Sequence, residues 1–171
     1  MFAREIKQGV YAVGVQDWGR RLFDSLIPLP DGTSYNSYLI IGSHKTAIID
    51  TVDPEFADEF LANLDTLDRL DYIITLHSEQ DHSGSIGILQ KRFPNAEILC
   101  SPKAVDLLSE HLMLDPQKLR AVEDGEVISL GDKSLRFIHT PWVHWPETMV
   151  AYLKEENILF SCDFLGSHSA S

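Results

Sequence analysis

Residues 76–84 read LHSEQDHSG and place His77, Glu79, Asp81 and His82 within six positions. Imidazoles and carboxylates are the usual ligands of transition metals, and together they suit a site that mixes nitrogen and oxygen donors. His77 and Glu79 are two apart, whereas Asp81 and His82 are adjacent. One turn could therefore supply two neighbouring metals, His77 and Glu79 to one, Asp81 and His82 to the other. Ser83 and Gly84 let the backbone turn sharply after them. Taken singly, either histidine reads as part of a solvated polar turn with an N-cap aspartate. Taken together, and directly after the apolar run Asp71–Leu76, the group favours a metal site.

Two further segments offer ligands. HTPWVHWPE contains His139 and His144 in a stretch stiffened by Pro141 and Pro146, with Trp142 and Trp145 able to exclude water. His139, at the end of a strand, reads as structural, and His144, inside the loop, as a ligand. LFSCDFLGSH places Asp163 at another strand end, and a carboxylate can bridge two metals roughly 3.5–4 Å apart. His168 is close enough to Asp163 to orient a ligand by hydrogen bonding. His44 reads as a turn residue and His111 as a helix residue, and neither is given a role.

The elements that must hold these residues can be read from periodicity and punctuation. VYAVGVQDW alternates as a strand. SYNSYLIIG and KTAIIDT flank Gly42-Ser43-His44 as a hairpin. PEFADEFLANL opens on Pro54 with helical spacing of Phe56, Phe60, Leu61 and Leu64. DYIITL is a short buried strand, SIGILQKRF a helix closed at Pro94-Asn95, and AEILC another strand. Ser101 and Pro102 are N-cap and first residue of the next helix. EVISL, SLRFIHT and MVAYLKEENILFS are strands again, with turns at Gly131-Asp132 and Glu155–Asn157. This order gives α/β mixed sheets with helices outside. The last strand, near ILFSCDF, is followed only by LGSHSAS, so the C-terminal part of the domain is expected to be incomplete.

Composition bounds the function. The 171 residues suit one domain, 44% are hydrophobic, and the formal net charge is -12. Such a surface disfavours nucleic acid and anionic lipid. Cys100 and Cys162 form no CxxC pair and fit a reducing cytosol. MFAREIKQGV has charges where a signal peptide needs an apolar run. No stretch approaches the roughly 18–20 apolar residues of a membrane span. A cytoplasmic protein is the expectation.

Four pieces, GTSYNSYLI with AIIDTVD, HSEQDHSG, HTPWVHWPETM and ILFSCDFLGSH, resemble the metallo-β-lactamase-like domain of the flavodiiron proteins, the A-type flavoproteins. The resemblance covers nearly the whole chain and implies an αββα sandwich, incomplete at its C-terminal end, over residues 1–171. The wider hydrolase superfamily usually has histidine at the position of Glu79, and flavodiiron proteins have glutamate, whose oxygen donors suit iron or manganese better than zinc. The family pattern gives one iron to His77, Glu79 and His144, the other to Asp81 and His82, and the bridge to Asp163. It implies two irons, with zinc or manganese as substitutes. It also implies reduction of dioxygen to water, of nitric oxide to nitrous oxide, or both. The electrons come from FMN on a flavodoxin-like domain not found in this sequence, fed by rubredoxin or another donor, in a homo-oligomer. A further family histidine beyond Asp163 is not matched, His168 being too close. The alternatives are a binuclear-metal hydrolase on the same fold and a non-catalytic metal-binding fragment.

Overall fold

The computed structural model describes residues 3–170. The first third of the chain is β1 (Arg4–Lys7), β2 (Val10–Ala12), β3 (Val15–Asp17), β4 (Leu22–Phe23), β5 (Ile27–Pro28), β6 (Thr33–Tyr35), β7 (Tyr38–Ile41) and β8 (Thr46–Ile49). Next come α1 (Ala57–Asn63), β9 (Tyr72–Ile74), α2 (Gln80–Ser83), α3 (Ile86–Arg92), β10 (Glu97–Cys100) and α4 (Pro102–Leu112). The chain closes with β11 (Leu119–Ala121), β12 (Val127–Ser129), β13 (Ser134–His139), β14 (Met149–Leu153) and β15 (Ile158–Phe160).

Two sheets carry the fold. The larger runs β1-β2-β7-β8-β9-β10-β11, and the smaller β12-β13-β14-β15. The β7–β8 hairpin is antiparallel, while β8, β9, β10 and β11 are parallel. Parallel strands covered on both faces need apolar residues at every position. That is why IIT, ILC and AII occur as runs rather than as alternations. The period of two then sorts them. Leu39, Ile48, Ile73 and Ile98 face the helices, packing with Phe60, Leu64, Ile86, Leu89 and Leu108. Ile40, Ala47, Ile49, Ile74 and Leu99 face the second sheet, against Leu135, Phe137, Met149, Ala151 and Phe160. The layers are therefore helix, sheet, sheet. The expected mixed-sheet α/β fold with helices outside is the one observed. Among the described residues no helix contributes to the core between the sheets. On the outer side of the smaller sheet Val127, Ile138 and Leu159 are exposed.

The expected helix at PEFADEFLANL begins as a 3-10 turn, Pro54–Phe56, capped by Asp53, before α1. Ser101 caps α4 through the Ala104 amide, as its sequence implies. One strand reading needs correction. VYAVGVQDW is not one strand but two, β2 in the large sheet and β3 paired with β6. The break falls at Gly14, where an added Cβ would lie 2.0 Å from the carbonyl oxygen of Tyr35. Val13 and Val15 are both buried on either side, so the alternation persists while the pairing partner changes.

This crossing generates a test. Gly14→Ala forces a methyl group against backbone that cannot yield locally, and should cost about 1–3 kcal/mol by overpacking. Urea denaturation of the two proteins measures it.

Candidate metal centre

Every candidate ligand sits at the same edge of the sandwich, where parallel strands end. β9 runs into Thr75–His77, and the Glu79–Ser83 turn follows as the single helical turn α2, with Glu79 at the N-cap position in extended backbone. His144 lies in the loop between β13 and β14, and Asp163 follows β15. Two contacts lock the sheets together at this edge. The Met149 amide donates to the Leu76 carbonyl at 3.1 Å. The Ser101 hydroxyl donates to the Glu147 carbonyl at 2.6 Å. The turn that carries His144 is fixed by Thr148, whose hydroxyl donates to the Trp145 carbonyl at 3.0 Å and accepts from the Trp145 amide at 3.0 Å.

The fold gathers four of the six candidate ligands tightly. One ligand atom each from His77, Glu79, His144 and Asp163 all lie within 4.8 Å of one another. His77 Nε2 is 3.1 Å from a Glu79 oxygen, and His144 Nε2 is 3.8 Å from Glu79 and 3.5 Å from Asp163. The other two meet the same group from the opposite side. His82 Nε2 is 2.9 Å from the second oxygen of Asp163 and 3.9 Å from Asp81. Asp163 thus stands between two ligand sets, one oxygen toward His144 and the other toward His82. Asp81 Oδ1 is buried without a hydrogen-bond partner. A buried carboxylate oxygen left unpaired is costly, and a cation held by Asp81 would satisfy it. The donor set of imidazole nitrogens and carboxylate oxygens fits a pair of transition-metal ions.

His168 is elsewhere in its bonding. Its Nδ1 is 3.0 Å from the Thr33 hydroxyl, and its ring packs on Phe23 at 4.7 Å between centroids. Among the described hydrogen bonds none joins His168 to a candidate ligand, although it lines the same cavity of about 460 Å³ as Asp81, His82, His144 and Asp163. His139 is structural, as expected, with Nε2 3.0 Å from the Val122 carbonyl.

Two buried carboxylates beside the candidate ligands escape the sequence reading. Glu147 is buried, and its Oε1 accepts from His77 Nδ1 at 2.8 Å, from the Ser78 hydroxyl at 2.6 Å and from the Ser78 amide at 3.1 Å. Asp50 is buried, and its oxygens face His82 Nδ1 at 3.1 Å and the Leu76 amide at 2.7 Å. A signal existed for each: Asp50 ends the apolar run AII, as His77 follows DYIITL, and Glu147 lies in the HTPWVHWPETM stretch.

These contacts set the electrostatics of the metal-free centre. Burial disfavours charge on His77, but hydrogen bonds to Glu147 and Glu79 outweigh it and lift its pKa to about 9. Burial likewise opposes charge on His82, and Asp163 and Asp50 raise it well above the usual value. For Glu147 burial pulls upward, yet His77 and Ser78 bring it down to about 2. Asp163 also falls to about 2, its burial outweighed by His82. Asp81 is pushed up, first by burial.

The comparisons place the chain. Residues 33–171 match the family model "ODP family beta lactamase". The chain belongs to this family. A type A flavoprotein of Rhodobacter capsulatus is 40% identical over 168 residues, which is 95% of this chain and 39% of the relative. An anaerobic nitric oxide reductase flavorubredoxin of Pectobacterium atrosepticum is 39% identical over 95% of this chain and 33% of its own length. The rubredoxin oxygen:oxidoreductase of Desulfovibrio gigas superposes with a TM-score of 0.93 at 31% identity, covering 99% of this chain and 43% of that one. The fold is thus the metallo-β-lactamase-like one of the flavodiiron proteins. The chain spans between 33% and 43% of the length of these relatives.

The charge pattern predicts a pH profile for the metal-free protein. Glu147 and Asp163 are depressed from 4.5 and 3.8 to about 2, so their contribution is full above pH 4.5 and is lost as pH falls toward 2. His77 is raised from 6.5 to about 9, so its contribution is full below pH 6.5 and is lost as pH rises toward 9. Thermal melts after chelation should therefore show highest stability between these limits. Melts that instead rise steadily from pH 6.5 to 9 would contradict the pairing.

Proposed function

We propose that this chain is the metal-bearing oxidoreductase domain of a flavodiiron-type protein, with residues 1–171 forming one partial domain. The observation that carries this reading is the ligand set itself: Glu79 stands beside His77, His144 and Asp163, and Asp163 reaches across to His82. One metal would be held by His77, Glu79, His144 and Asp163, the other by Asp81, His82 and Asp163. With three carboxylates among these ligands, two irons are favoured over a zinc pair, and manganese or zinc are substitutes. When bound, an iron pair would supply one-electron redox chemistry at this site.

The chain's own residues do the rest. Glu147 accepts the Nδ1 proton of His77 and so presents Nε2 to the metal. Trp145 packs edge-on against His77 at 4.9 Å between centroids and shields that side from water. The cavity bordered by Asp81, His82, His144 and Asp163 admits a small substrate. We assign dioxygen, nitric oxide or both as that substrate. The relatives' names support both: one is called a nitric oxide reductase flavorubredoxin and another a rubredoxin oxygen:oxidoreductase. Electrons would come from FMN on a flavodoxin-like domain, supplied by rubredoxin or a similar donor. No helix among the described residues is long and apolar enough to cross a membrane. With the acidic composition this supports a cytoplasmic setting without nucleic-acid or membrane partners. The exposed apolar residues on the outer face of the smaller sheet support assembly into at least a dimer. The hydrolase alternative is disfavoured by Glu79, because imidazole-rich sites suit zinc.

Metal analysis and gas consumption test this. Iron-reconstituted protein supplied with a reduced flavodoxin-type donor should consume dioxygen or nitric oxide. Ester hydrolysis by zinc-loaded protein with no gas consumption would favour the hydrolase. One metal should bind more tightly than the second, since its ligand set is larger. Glu79→Ala and His144→Ala should each weaken the tight site about 10- to 100-fold, while His44→Ala should leave it unchanged. Calorimetric titration distinguishes these, and a tight site indifferent to Glu79 would show the ligands misplaced.

A further inference from the structure

Past Asp163 the chain crosses the metal edge and returns to β6. Three contacts fasten it there. The Thr33 hydroxyl lies 3.0 Å from His168 Nδ1, the Ser34 hydroxyl donates to the Ser169 carbonyl at 2.8 Å, and the Ala170 amide donates to the Asp31 carbonyl at 3.0 Å. Ala170 is buried at the end of this strap, while Leu165, Gly166, Ser167 and His168 are exposed. Gly166, Ser167 and His168 line the same cavity as Asp81 and His82. Where the strap begins, Leu165 has φ of +71°. Left-handed backbone is unfavourable for a branched apolar residue and persists only where surrounding contacts hold it. Those contacts are few and lie next to solvent, which marks a segment that opens locally before the fold does.

We propose that residues 165–170 are a strap that gates metal entry to the inner half of the centre, the half formed by Asp81 and His82. The inference rests on the two-metal reading above. Exposure separates the two halves. The side chains of His144 and Asp163 are each 35% exposed, so an ion reaches the outer set directly from solvent. Those of His82 and Asp81 are 8% and 14% exposed, and the cavity beside them has the strap as one wall. Closure depends on Thr33 and Ser34. These belong to the two-stranded β3–β6 sheet rather than to either main sheet, and no described hydrogen bond joins them to a candidate ligand. Opening about Leu165 and Gly166, beyond Asp163, moves the strap without moving that ligand. A gate acts on rates. Its anchors hold the closed strap equally with and without metal, so loosening them speeds uptake and loss by the same factor and leaves affinity unchanged. A segment that only held Asp163 in place would do the reverse, and its loosening would lower affinity.

Stopped-flow zinc uptake by the metal-free protein tests this, with amide hydrogen exchange beside it. Uptake should have two phases. The fast one should rise in proportion to zinc and be lost in Glu79→Ala. The slow one should level off at high zinc, because strap opening limits it. Thr33→Val and Ser34→Ala each remove one anchor, and each should raise that plateau about 3- to 10-fold, the effect of one hydrogen bond. Zinc release from the slow site to excess chelator should quicken by the same factor, and calorimetric affinities should stay as in the wild type. The two variants alter different contacts, so a folding defect in one leaves the other to decide. In the wild type itself the Ala170 amide should exchange far faster than the β14 amides. Equal protection would mean that the strap does not open locally, and the gate is overturned. It is overturned also if both variants leave the slow phase as it was, or if they weaken the slow site without changing its uptake rate. If neither phase responds to Glu79→Ala or Asp81→Asn, zinc binds elsewhere; the two-metal reading then fails and takes the gate with it, even where the Ala170 amide exchanges fast.

Discussion

The structure depends on one electrostatic constraint: too much negative charge at one edge of a sandwich for the edge to stand without cations. Glu79, Asp81 and Asp163 converge on a small volume, and Asp50 and Glu147 lie buried directly behind them. Unit charges a few ångströms apart in a partly buried setting repel by several kcal/mol. In the metal-free protein His77 and His82 hold protons and offset part of that repulsion, which is why both are raised well above the ordinary histidine value. In the proposed function a metal ion would offset it more strongly, since it brings more charge, and Asp81 has a buried oxygen without a hydrogen-bond partner. On the proposed reading, metal ions would take the place of these protons.

The sandwich exists in a form that meets this constraint. Parallel strands end together, so β8, β9 and β10 deliver Asp50, His77 and Ser101 to one edge. The second sheet brings His144, Glu147 and Asp163 to the same edge because β14 starts there and β15 ends there. The two halves are then joined at the site, by Met149 to Leu76 and by Ser101 to Glu147. The buried carboxylates act across this seam. Glu147 on one side orients His77 on the other, and the Asp50–His82 pair is completed by Asp163 from the second sheet. Ligand geometry and sheet packing are therefore one problem: a change that separates the sheets also separates the ligands.

Much of the centre was legible in the sequence because ligand chemistry is local and specific to residue type. Four ligand-type side chains after a buried strand stand out without any knowledge of the fold, and His144 and Asp163 stand out by their places between or after strands. Asp50 and Glu147 do not. A single carboxylate near a strand end is an ordinary turn residue until the fold brings it to a histidine 32 or 70 positions away. His168 was misleading for the converse reason: nearness in sequence to Asp163 does not fix bonding, and its ring nitrogen goes to Thr33. The strands with strong patterns were equally legible. The break at Gly14 was not, because Val13 and Val15 keep the alternation while the chain changes partners. Three-residue β11 and the two-residue pair β4–β5 carry too little pattern to be seen.

The central claim is that these side chains hold two metals that share Asp163. A crystal structure of iron-loaded protein, with anomalous scattering recorded on both sides of the iron absorption edge, tests it most directly. The account predicts two iron peaks, one in contact with His77, Glu79 and His144 and the other with Asp81 and His82, and Asp163 reaching both. A single peak with Asp163 outside its reach, or iron bound away from this edge of the sandwich, would contradict it.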